Sequence, residues 1–94
     1  MGSSILLIGD MINDLAHRDG PSVYLEEIAR RNTIANNAKA ISKARAAGVP
    51  VGFIRVGFSP NYCEVSPNSP IFTGAKKAGR FKLGEWGTEV HPDL

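Results

Sequence analysis

A strand, helix and strand pattern in the first sixty residues most constrains the fold of this chain. Residues 4–8 form a short apolar run that goes directly into Gly9 and Asp10, which is typical of a strand buried on both faces. Residues 33–47 are rich in alanine, and residues 49–56 are again apolar and β-branched. Two strands joined by a helical crossover are parallel. The pattern therefore predicts one βαβ unit of an α/β fold.

The helix predicted over residues 33–47 is followed by clear stop signals. Gly48 stands where a left-handed C-terminal cap is needed, and Pro50 prevents the helix from continuing. A preceding helix is predicted over residues 22–31, with Ser22 as its N-cap and an interruption at residues 32–33. The apolar side chains of the longer helix share one stripe: Ile34, Ala38, Ile41 and Ala44.

The segments outside this unit are predicted to be irregular. Residues 11–22 are polar and contain several turn-forming residues, as in a surface loop. In residues 57–94 the apolar side chains show no period of two or 3.6 residues. Two strands and one main helix cannot cover both faces of a parallel sheet. We therefore expect residues 1–94 to be the N-terminal part of a single larger α/β domain, or to depend on a partner.

Composition narrows the classes of partner. The chain has 94 residues, a formal charge of +2 and no apolar run near the roughly 20 residues of a membrane span. These values favour one domain without nucleic-acid or membrane partners, and the missing secretory signal leads us to expect a cytoplasmic protein. One local basic cluster is expected to be a solvated loop; it comprises Lys76, Lys77, Arg80 and Lys82.

Asp10 is the first candidate for chemistry, because ligands of open α/β sheets gather at the carboxyl ends of the strands. A carboxylate there is expected to be partly desolvated and could accept a proton. Equally, Asp10 could cap the following turn with its own side chain. Asp14 is interpreted as a turn-former rather than as a second catalytic carboxylate.

The other reactive side chains carry weaker signals. Cys63 is the single cysteine and has no nearby histidine in the sequence, so it is interpreted as an inert thiol. His17 and His91 lack a second ligand at metal-site spacing and are interpreted as polar loop residues. The sequence shows no metal-site spacing and no glycine-rich motif for a nucleotide. We therefore predict no cofactor. Trp86 could fill the core or form the wall of a pocket.

Three segments of the chain are similar to parts of one known family. Residues 5–15 run from an apolar strand into an Asp-Met-x-Asn-Asp turn. Residues 43–56 contain the approach to a second strand and that strand, and residues 83–94 form the last segment. Together they resemble the isochorismatase-like cysteine hydrolases, in which the last segment precedes the catalytic lysine. The resemblance spans nearly the whole chain.

The resemblance implies a three-layer α/β/α domain with a Rossmann-like parallel sheet, usually about twice as long as this chain and often oligomeric. Family amidases use an aspartate, a lysine and a cysteine, of which only Asp10 has a counterpart here. The lysine and cysteine would be expected beyond Leu94. Residues 58–62 lack the Asp-x-His metal ligands of the nicotinamidase branch, which is therefore disfavoured. The candidate pocket residues are Leu15, Phe58 and Trp86.

The sequence thus predicts a hydrolase of small amides or related C–N bonds, with Asp10 as base and a small-molecule substrate. This chain alone is predicted to be inactive, and to form a homo-oligomer or associate with a C-terminal part. The alternative is a non-catalytic α/β fragment or partner-dependent assembly module, in which Asp10 only caps a turn.

Overall fold

Two parallel strands and four α-helices make up the fold in a computed structural model, which describes residues 3–94. The predicted order of strand, helix and strand is confirmed, and the chain has an α/β fold. In chain order the elements are β1 (Leu6–Gly9), α1 (Asn13–Ala16), α2 (Leu25–Arg30), α3 (Thr33–Ala46), β2 (Val51–Ile54), α4 (Pro70–Ala78) and a 3₁₀ helix (Trp86–Thr88).

The two strands pair in parallel, with Leu6 opposite Val51 and Gly9 opposite Ile54. Because side chains alternate along a strand, β1 presents Ile8 to one face and Leu7 to the other. Ile8 is buried, whereas Leu7 is 54% exposed. The prediction of a strand buried on both faces is therefore wrong for the described chain, since helix α3 packs against both strands and the face of Leu7 stays open.

Helix α3 confirms the predicted stop signal. Gly48 adopts the left-handed conformation with φ 73°, and the N–H of Val49 donates to the carbonyl of Ala44 at 2.8 Å. This is the Schellman arrangement, in which the residue after the glycine closes the last turn. The apolar stripe of α3 faces inward around Ile41, which is buried.

The break between α2 and α3 is also confirmed, because Asn32 lies in the left-handed region with φ 50°. The start of α2 differs from the prediction. Helix α2 begins at Leu25, and the Ser22 hydroxyl accepts a hydrogen bond from the N–H of Tyr24 at 3.0 Å. Ser22 therefore forms a local turn ahead of the helix and does not cap it.

Both segments predicted to be irregular contain helices. Helix α1 is a single turn inside the expected loop 11–22. Helix α4 lies inside the expected irregular stretch 57–94, and the Ser69 hydroxyl at its start accepts the N–H of Phe72. Pro70 occupies the first turn and Gly79 is left-handed at its end. These are ordinary helix boundary signals, but α4 has only nine residues, too few to show a clear apolar period in the sequence.

Residues 57–94 fold back onto the turn that follows β1. Ile12 is fully buried and pairs with Val90 in an isolated antiparallel bridge, and Phe58 pairs with Lys82 in a parallel one. Ile12, Ala75 and Phe81 form a buried apolar cluster. Burial of this apolar surface holds the C-terminal half against the turn after β1.

Candidate functional site

Asp10 stands at the tip of β1, directly after Gly9. Its backbone N–H donates to the carbonyl of Ile54 at 3.0 Å, which extends the strand pairing by one residue. The backbone of Asp10 is left-handed, with φ 60°. Such a conformation is uncommon for a residue with a side chain, and it turns the chain sharply away from the sheet.

The carboxylate of Asp10 is exposed and, among the described residues, accepts no hydrogen bond. Two expectations change as a result. The side chain is not partly desolvated, and it does not cap the following turn. A carboxylate with free lone pairs therefore stands at the carboxyl edge of the sheet, where a reacting group could approach it.

The next two polar residues, Asn13 and Asp14, are buried at 1% and 8% exposure. The Asn13 amide donates to the carbonyl of Trp86 at 2.8 Å, and the Asp14 carboxylate accepts the N–H of Phe81 at 2.8 Å. The interpretation of Asp14 as a turn-former is wrong, because its carboxylate accepts the N–H of a residue far along the chain. Both side chains bind segment 81–86 to helix α1.

Two of the three pocket candidates, Leu15 and Phe58, pack against the same buried cluster around Phe81. Trp86 is not part of that cluster, although its 3₁₀ helix contacts α1. The Trp86 side chain is 44% exposed, and its ring centroid lies 4.9 Å from that of His17 in an edge-on contact. A role in substrate binding stays a prediction for all three.

A cavity of about 610 Å³ lies between α1, the break between α2 and α3, and the last residues of the chain. None of the four site residues predicted from the sequence lines it. Its walls include His17 and His91, whose ring centroids are 5.1 Å apart. The sequence predicts two separate polar loop residues here, because no local spacing reveals a contact between histidines so distant in the chain.

Cys63 is exposed. Its N–H donates to the Asn61 side chain at 3.1 Å, and the neighbouring Glu64 binds the N–H and the hydroxyl of Ser59. These bonds lower the pKa of Glu64, and the bond from the Ser59 hydroxyl has the largest effect. The surroundings of Cys63 thus contain a carboxylate, which disfavours a thiolate.

The basic residues near the end of α4 were expected to lie in a loop, but Lys76 and Lys77 form the last turn of that helix. The side chains of these two lysines are exposed, as expected, whereas Arg80 and Lys82 are half-buried. Across residues 3–94, no group of three or more His, Cys, Asp or Glu side chains is placed to hold a metal ion. No helix in the same range is both long and apolar enough to cross a membrane.

In a comparison with known protein families, the family model of the isochorismatase domain matches residues 4–94, which is nearly the whole chain. A search of curated proteins finds no match.

Proposed function

The chain belongs to the isochorismatase family, and from this premise we propose that it contributes the base to a hydrolase that cleaves a small amide or a related C–N bond. The observation that carries the proposal is the free carboxylate of Asp10 at the tip of β1. A general base needs an unoccupied lone pair within reach of the proton that it removes. The exposed Asp10 carboxylate has unoccupied lone pairs, whereas the Asp14 carboxylate already accepts the N–H of Phe81.

The proposed mechanism is acyl transfer to water through a thioester. Asp10 takes the proton of a cysteine thiol, and the sulfur attacks the carbonyl carbon of the substrate. The C–N bond breaks, and the amine leaves with the proton that Asp10 held. Water then hydrolyses the thioester and restores the thiol. In this proposal the cysteine, and a lysine that favours its thiolate form, come from sequence beyond Leu94.

Two features of the described residues support Asp10 in this role. The hydrogen bond from its N–H to the Ile54 carbonyl fixes its backbone to the neighbouring strand. The carboxylate is therefore attached to a backbone position that the sheet holds in place. Its left-handed backbone directs the chain out of the sheet. A base on a fixed strand end keeps its position relative to a nucleophile supplied by another strand of the same sheet.

The test is Asp10→Asn in the complete protein, with a panel of small amides as substrates. We expect the hydrolysis rate to fall by about 10²-fold to 10⁴-fold, as for the loss of a general base. Glu26→Gln is the matched control, because Glu26 is exposed on α2 and removal of its charge should leave the rate unchanged. Retention of activity by folded Asp10→Asn would show that the base lies elsewhere.

A second measurement addresses the thioester. Intact mass of the complete protein during turnover should reveal a covalent acyl adduct, and the adduct should map to a cysteine other than Cys63. If the complete wild-type protein hydrolysed no amide of the panel, the proposed substrate class would be wrong.

A further inference from the structure

The cavity of about 610 Å³ has a size that suits a small molecule, since ligand sites usually measure about 300 to 1,000 Å³. Its apolar lining includes Leu25, Ile28 and Ile34 from α2 and the start of α3. Its polar lining includes His17 and His91. The cavity could therefore accept a molecule with an apolar body and a polar group.

The first turn of α3 lines this cavity with unused hydrogen-bond donors. The left-handed Asn32 precedes the helix, and its side chain makes no capping hydrogen bond. The nearby Asn36 side chain donates instead to the carbonyl of Arg31 at 3.1 Å. Within the described residues, the N–H groups of residues 33–35 have no acceptor, and all three residues lie at the cavity. Free N–H groups at a helix N-terminus attract anions.

The histidines add a second, independent set of donors. Backbone N–H groups donate to Nδ1 of each ring: that of Asp19 to His17 at 3.0 Å, and that of Asp93 to His91 at 3.1 Å. In a neutral ring the proton must then reside on Nε2. Neither Nε2 has a partner within residues 3–94. His91 is only 9% exposed, so it is a nearly buried polar side chain with an unused donor at the cavity.

We propose that this cavity binds a small oxyanion of the phosphate class, held between the amide groups at the start of α3 and the Nε2–H groups of His17 and His91. Every named donor is an N–H, and a phosphate presents several acceptor oxygens to them. Arg18 also lines the cavity and supplies a positive charge. The negative charges nearby are the carboxylate of Asp93 in the lining and that of Asp19, 3.8 Å from Nδ1 of His17. The apolar side chains of the lining would contact an organic group attached to the phosphate.

The test is a titration of the ¹⁵N-labelled complete protein with inorganic phosphate, followed by NMR. We expect saturable shifts of the amide signals of residues 33–35 and of the His17 and His91 ring signals. Shifts confined to surface lysines such as Lys76 would overturn the proposal, as would no response at the start of α3. A parallel titration with phenyl phosphate separates the two sources: tighter binding assigns a phosphate monoester, and equal binding assigns free phosphate.

The matched variants are Ala35→Glu and Ala35→Gln. Ala35 is exposed at the third position of α3, where a glutamate favours the helix itself, so both variants should fold. The added carboxylate repels an anion, and we expect Ala35→Glu to weaken phosphate binding by about tenfold or more while Ala35→Gln keeps it. Equal binding by the two folded variants would overturn the site. Asp10 takes no part in this experiment, so its outcome is independent of the hydrolase proposal.

Discussion

The Asp14 carboxylate accepts the backbone N–H of Phe81 at 2.8 Å in a buried hydrogen bond between distant parts of the chain. Phe81 is left-handed, with φ 59°, and the guanidinium of Arg80 lies 4.8 Å from the centre of its ring. The Arg80 side chain also donates to the carbonyl of Asp14 at 3.4 Å. One carboxylate thus fixes both the backbone conformation and the position of the segment that completes the apolar cluster.

Asp14→Ala is expected to lower the free energy of unfolding by about 1.5 to 3 kcal/mol, because the buried N–H of Phe81 would lose a charged acceptor. Asp14→Asn keeps an acceptor oxygen and should lose less. Urea unfolding measures both values. Asp19→Ala is the control, since Asp19 is exposed and its loss should change stability by no more than about 0.5 kcal/mol. Equal stability of Asp14→Ala and the control would contradict this assignment.

Gly87→Ala is expected to destabilise the fold through the same carboxylate. A Cβ at Gly87 would overlap the Asp14 side chain, which is short, buried and already bound to Phe81. Relief of such overlap costs about 1 to 3 kcal/mol in a packed interior, and urea unfolding would show it.

Gly74→Ala is the matched substitution. Gly74 lies within α4, and a Cβ there meets nothing within 4 Å. Since alanine favours a helix over glycine by about 0.8 to 1 kcal/mol, this variant should gain stability. If both variants shifted the urea midpoint in the same direction, the close approach of Gly87 to Asp14 would not be the cause.

The sequence was sufficient for those parts of the fold that local signals determine. The αL glycine at residue 48 and the apolar runs around it predicted α3, β2 and the parallel pairing, because each signal acts within a few residues. Helix α4 was missed although Ser69, Pro70 and Gly79 mark its ends. The helix is too short to show a clear period of apolar side chains, but its boundary residues alone would have located it.

The candidate site was less predictable because its contacts are not local. Asp10 could be placed at a strand end from the sequence, but its exposure depends on what covers the sheet. The roles of Asn13 and Asp14 follow from segment 81–86, which no spacing in the chain connects to them. In the same way, the contact of His17 with His91 arises only after the C-terminal residues return to α1.

Cys63→Ser is expected to leave the hydrolysis rate of the complete protein unchanged. Cys63 is exposed and lies beside the carboxylate of Glu64. A neighbouring negative charge disfavours the thiolate, so Cys63 lacks the surroundings of a nucleophilic thiol. Steady-state rates on the amide panel give the comparison. Loss of hydrolysis in folded Cys63→Ser would instead make this thiol the nucleophile. As a check on exposure, iodoacetamide should modify Cys63 in the native protein, as intact mass would show.

The buried imidazole of His91 should make stability depend on pH. Burial lowers the pKa of His91, the charge of His17 lowers it further, and Asp93 opposes both. An unfolded histidine takes up its proton near pH 6.5, whereas the folded protein keeps His91 neutral to lower pH. The unfolded state therefore binds more protons below about pH 6.5, and the free energy of unfolding must fall as the pH decreases through this range. Above about pH 6.5, the contribution of His91 to stability is fully present.

Urea unfolding between about pH 5 and about pH 8 measures how the free energy of unfolding changes with pH, and His91→Gln should make this change smaller than in the wild type. Parallel curves for the two proteins would show that another group causes the pH dependence.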